Sequence, residues 1–172
     1  MDFLERVKGA MGGLESFISK VPGYKGYKEK EQRREADKLL RDYLVRQFEE
    51  QQRKLNDQKL QLLSSGLIEL MDDLDRASTR LESFIIKIRT ASRGYAGLFD
   101  AVKVKEKELE ALYNFDNALL EGVPRLEASI SQLSSAIMAQ EGVAQAIADL
   151  VALTRELNDT WARREDVITG AA

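Results

Sequence analysis

Apolar residues return every three or four positions along most of this 172-residue chain, the spacing of α-helices that bury one face. The first stripe, Leu4, Val7, Met11, Leu14, Ile18 and Val21, predicts a short amphipathic helix over about residues 2–20, with Phe3, Ala10 and Phe17 widening the apolar side. Gly9, Gly12 and Gly13 interrupt it, each costing about 0.8–1.0 kcal/mol relative to alanine. So short a helix needs a surface to fold on. Val21-Pro22-Gly23-Tyr24-Lys25-Gly26-Tyr27 then breaks the pattern, because proline lacks a donor and glycine accepts turn geometry.

Four longer stripes follow. Ala36, Leu39, Leu40, Tyr43, Leu44, Phe48, Leu55 and Leu62 predict a helix over about 28–64, a rod of roughly 55 Å, closed by Ser64-Ser65-Gly66. The cleanest stripe, Leu67 to Ile88, predicts a third helix over about 67–91. A fourth starts near Leu98 and runs to Glu141-Gly142, with Gly122 and Pro124 marking a kink or short break. Val143, Ile147, Leu150, Leu153, Leu157 and Trp161 set a fifth over about 143–167, after which Ile168 to Ala172 should fray. Short connections place consecutive helices antiparallel. The expected fold is all-α, an elongated, coiled-coil-like antiparallel bundle of about five helices, with residues 1–22 as the short N-terminal helix and 23–172 as one bundle.

Composition narrows the chemistry. The chain has no histidine and no cysteine, which excludes a serine–histidine triad, a cysteine nucleophile and the usual zinc and di-metal sites. No cofactor or metal is expected. Residues 1–46 carry 11 Lys and Arg against 8 Asp and Glu, and residues 47–172 carry 15 against 21. A mildly basic head on an acidic body does not fit a nucleic-acid binder. The N-terminus lacks the continuous apolar core of a signal peptide, and the expected location is the cytoplasm. Carboxylate chemistry is left with Asp72, Asp73, Asp75, Asp116 and Glu121. The first three read as solvated residues beside the apolar line. Asp116 falls near the seam between Leu112 and Leu119, where a buried carboxylate requires a partner. Arg80, Lys87 and Arg89 of the third helix are the candidates, for an ion pair that fixes register rather than a catalytic base.

The most distinctive stretch is Gly23 to Lys38, where Tyr24 and Tyr27 stand beside Lys25, Lys28, Lys30, Arg33 and Arg34. Cations can hold phosphate groups and the rings can form an interface. In the alternative arrangement Glu29, Glu31, Glu35 and Asp37 pair with those cations while the tyrosines cap the bundle end. Arg93 and Tyr95 would join them at the same pole if the helices alternate.

The Gly-Tyr-Lys-Gly-Tyr start, the following Glu-Lys-Glu-Gln-Arg-Arg-Glu-Ala-Asp-Lys and the later Arg-Gly-Tyr-Ala-Gly-Leu-Phe-Asp resemble an uncharacterised bacterial helical family. In plan, a short amphipathic helix before a long helical hairpin, the chain is also similar to phage-shock protein A and its ESCRT-III-like relatives. That similarity implies a protein on the inner face of a membrane. Three functions follow as expectations: a non-enzymatic scaffold or adaptor for another protein, a peripheral membrane protein, and, more remotely, a carboxylate- or ion-dependent enzyme. The residues for partner or membrane binding are Phe3, Leu4, Phe17, Ile18, Tyr24, Lys25, Tyr27, Lys28, Arg33, Arg34, Arg93 and Tyr95. A homo-oligomer through the stripe of the third helix is a further option.

Overall fold

A computed structural model of the protein describes Ile18 and residues 21–27, 29–91 and 105–170. These are all-helical, with four α-helices: α1 (Arg33–Ser64), α2 (Met71–Thr90), α3 (Glu106–Ala139) and α4 (Val143–Thr169). Single 3-10 turns, Lys30–Gln32 and Ile68–Leu70, lead into α1 and α2. The helix expected over 2–20 lies outside the described residues except for Ile18, and the helix expected to run from near Leu98 begins at Glu106, after Lys105 in extended backbone.

The helices form as two hairpins laid on each other. Along α1 and α2 the partners run in opposite directions: Arg41 reaches the Ile88 carbonyl, Gln52 meets Ser78 and Lys59 meets Asp75. In the second hairpin Asp116 meets Arg164 and Arg125 meets Glu156, so α3 and α4 are also opposed. Between hairpins, α1 lies against α3 and α2 against α4. Tyr27 with Tyr113, then Lys54 with Glu127, show α1 and α3 advancing together. The neighbours across this second contact are therefore parallel, unlike a simple up-and-down arrangement in which every neighbour alternates. Residues 91 and 105, which flank the stretch between the hairpins, adjoin diagonally opposite helices.

One core runs through all four helices. Leu40, Leu44, Phe48, Leu55 and Leu62 of α1 face Leu74, Leu81, Phe84 and Ile88 of α2, with Leu112, Leu119, Leu126, Leu133 and Ile137 from α3 and Val143, Ile147, Leu150, Leu157 and Trp161 from α4. The Phe48 and Phe84 rings meet edge to face at 4.8 Å, a favoured aromatic geometry. Among the described residues, no helix is long and apolar enough to cross a membrane.

Two local expectations change. No break occurs at Gly122 and Pro124: α3 is continuous from Glu106 to Ala139. Pro124 sits on the exposed face, and the packed Leu119 and Leu126 on either side hold the helix through the lost donor. Gly122 serves close approach instead, since a Cβ there would lie 2.5 Å from Leu157 Cδ2. At the C-terminus Ile168 does not fray; it is buried, and α4 continues to Thr169 before Gly170 ends it in the left-handed region.

Both hairpin turns close with the same hydrogen-bond pattern. After α1, Leu67 N–H donates to the Leu62 carbonyl and Gly66 N–H to that of Leu63, with Gly66 at φ +77°. After α3, Glu141 N–H donates to Ala136 and Gln140 N–H to Ile137, with Gln140 at φ 54°. Both are Schellman caps, but the second puts a residue with a Cβ in a conformation that costs it about 1–2 kcal/mol. Gln140→Gly is therefore expected to stabilise the protein by about 1 kcal/mol, read as a higher urea midpoint at unchanged m-value.

Candidate functional site

Charge enters the apolar seams near the pole where α1 begins. On α1 the buried series running toward this pole reads Phe48, Leu44, Leu40, Asp37 and Arg33; on α3 Leu119 is followed outward by Asp116 and Leu112; on α4 Trp161 is followed by Arg164 and Ile168. Helical spacing thus carries charged groups into core positions of three different helices.

Arg164 is the centre of the layer and has no exposed surface. Its Nε donates to Asp116 Oδ1 at 2.5 Å, and its Nη2 donates to Asp37 Oδ1 at 2.6 Å and to the Tyr27 hydroxyl at 3.1 Å. Tyr27 in turn donates its hydroxyl hydrogen to Asp116 Oδ2 at 2.6 Å. The second oxygen of Asp37 accepts from Arg41 Nε at 2.7 Å, and Arg41 Nη1 reaches the Ile88 carbonyl of α2 at 3.3 Å. All four helices are joined through this one layer. The Trp161 ring, one turn back on α4, lies 4.9 Å from the Arg164 guanidinium carbon, within cation–π range.

The Gly-Tyr segment closes over the layer. Tyr27 N–H donates to the Tyr113 hydroxyl at 2.7 Å, and Arg33 Nε donates to the Tyr27 carbonyl at 2.8 Å. Gly26 sits at φ +78°, and a Cβ on it would fall 2.6 Å from the Tyr113 hydroxyl oxygen. Only glycine lets that hydroxyl reach the next backbone amide. Tyr24 completes the lid, its ring edge-on to Tyr27 at 6.4 Å.

Burial holds the hydroxyls of Tyr24, Tyr27 and Tyr113 above the ordinary phenol value of 10.0, with the Asp116 charge adding to the effect. Burial also raises the Asp116 carboxyl above its ordinary 3.8, against the opposing pull of Arg164 and Tyr27. Phenols that keep their protons and carboxylates whose oxygens are already occupied suit a register lock better than a reacting centre. Among the described residues, no group of three or more acidic side chains is placed to hold a metal ion.

The residues named from sequence divide sharply. Tyr24, Tyr27 and Arg33 come together, but inside the core, where Tyr27 and Arg33 hydrogen-bond into the buried layer and the Tyr24 ring packs on Tyr27; Lys25 and Arg34 stay exposed, and Ile18 is 39% exposed. Phe3, Leu4, Phe17, Lys28, Arg93 and Tyr95 lie outside the described residues. Asp116 is buried as its seam position predicts, but its cation is Arg164 and not a residue of the third predicted helix. Arg89 pairs with Glu49, Lys87 meets Asn158, and the Arg80 carbonyl accepts from Asn158. Arg41 and Arg164 are the members that the sequence pattern did not single out, although both continue their helix's apolar spacing; Asp37, expected on a solvated face beside the cations of residues 25–34, is buried and pairs with Arg41 and Arg164. No protein-family model, curated protein or solved structure matches the chain.

Two outcomes follow from this layer. Arg164→Met leaves the buried Asp116 without its cation and Asp37 with Arg41 alone, and should cost about 3–5 kcal/mol in urea unfolding, whereas loss of an exposed pair such as Arg125 with Glu156 should cost under about 1 kcal/mol. The raised tyrosines make the folded state hold protons that the unfolded chain releases near pH 10.0. Their contribution to stability is complete below that value and is lost as pH rises above it. Absorbance at 295 nm should therefore show Tyr24, Tyr27 and Tyr113 ionising together with unfolding at a pH above 10.0, and Tyr24→Phe should move that transition to higher pH.

Proposed function

We propose that this chain is a non-enzymatic helical scaffold or adaptor that acts through protein–protein contacts. The observation that supports this reading most directly is the use of its buried ionisable groups: Arg164, Asp116, Asp37 and Arg41 pair with one another across helices. The bundle's elongated, coiled-coil-like build then offers long polar helix faces to a partner, and the cytoplasm is the proposed location.

A second reading has one observation in its favour. Ile18 is a large apolar residue left 39% exposed, a few positions before the exposed Lys25, as a peripheral membrane protein would use them against anionic headgroups. The similarity of plan to phage-shock protein A supports the same idea.

The two readings separate by experiment. Immobilised full-length protein is expected to retain a defined protein at stoichiometric amount, and to stay in the bottom fraction when floated with vesicles containing anionic phosphatidylglycerol. Flotation with anionic but not neutral vesicles, with no protein retained, would replace the adaptor reading by the membrane one.

A further inference from the structure

The pole opposite the tyrosines is built differently. Leu60 and Leu63 in the last turns of α1 are 65% and 51% exposed, and Ile68 in the following 3-10 turn is 62% exposed. Leu60 and Leu63 are neighbours on the helix surface by spacing. Leu67, Leu70 and Met71, in and beside the same 3-10 turn, are half-buried against the core and add apolar surface at this end. At the same end, where α3 stops, Met138 is 75% exposed. Scattered exposed leucines are ordinary, but an apolar group concentrated at one end of a bundle marks a contact surface.

Charge identifies the occupant. Residues 57–76 and 138–142 carry six carboxylates, Asp57, Glu69, Asp72, Asp73, Asp75 and Glu141, against Lys59 and Arg76. Both cations are already engaged, Lys59 with Asp75 at 2.8 Å and Arg76 with Asp73 at 3.5 Å. Apolar side chains with an acidic surround match a helix with an apolar face flanked by lysine or arginine. A second copy of this chain docking by the same pole would bring acid against acid, and an anionic membrane would be repelled.

We propose that this pole is the docking surface for a basic, amphipathic helix of a partner protein. The inference rests on the adaptor reading and names the surface and partner chemistry it requires.

The test is an NMR titration of the isotope-labelled full chain with a synthetic Lys/Leu amphipathic peptide of roughly 18 residues, five helical turns. A peptide with the same apolar face and Glu in place of Lys is the control. Binding of the basic peptide should shift the amides around Leu63, Ile68, Glu69 and Met138, and weaken severalfold as salt rises. Leu63→Ser, Ile68→Ser and Met138→Ser together should weaken it about tenfold, the effect of about 1.4 kcal/mol, without lowering the melting midpoint. Glu69→Lys with Asp72→Lys should weaken it while leaving the apolar side chains in place.

Equal binding of both peptides, shifts elsewhere, or indifference to both variants would overturn the proposal. So would self-association that the serine variant abolishes, or vesicles that shift the same amides. If the serine variant still retains the protein partner that the unmodified chain retains, this surface is wrong and the adaptor reading stands. If the unmodified chain retains no protein, the adaptor reading fails, and the peptide titration decides the surface by itself.

Discussion

Arg164 sits where an apolar residue would otherwise continue the α4 seam, and moving its guanidinium out of water costs several kcal/mol. Two carboxylates and a hydroxyl, from three separate segments, offset that cost only if all arrive together. Leucine-rich seams tolerate sliding, because one apolar layer resembles the next. A slip of one turn, about 5.4 Å, would instead leave Arg164 facing hydrocarbon. The polar layer therefore selects the alignment of the helices, and the apolar layers supply most of the burial.

The same layer explains why the Gly-Tyr segment lies inside. A buried cation with two carboxylates has further hydrogen-bonding capacity to satisfy, and the Tyr27 hydroxyl both donates to Asp116 and accepts from Arg164. Tyr113 then secures the Tyr27 backbone, which Gly26 permits. Rings that look suited to docking in the sequence are thus consumed by closure of the pole.

Much of this architecture is legible in the chain itself. Spacing alone locates the long helices, the Gly66 turn and the Glu141-Gly142 turn, because each depends on local periodicity and glycine conformation. Spacing also places Asp116 on a seam. It does not name Arg164, since which cation meets a carboxylate depends on how the two hairpins are laid together. Nor does a helical period reveal whether α1 faces α3 or α4. Pro124 misleads for a related reason: its local preference for a break is real, but the packing on either side outweighs it.

The two poles differ in a way that the seam of α1 prepares. Gln51 and Gln58 occupy buried positions between Phe48, Leu55 and Leu62, and their Oε1 atoms have no hydrogen-bond partner among the described residues. Unsatisfied polar atoms weaken the core they sit in, and the Trp161 Nε1 beside Arg164 is in the same position. The poles differ instead in what fixes their alignment: charge-specific pairing at one, and apolar layers interrupted by glutamine at the other. A contact surface at the second pole can adjust its side chains to a partner while the charged layer at the first preserves the register of the bundle.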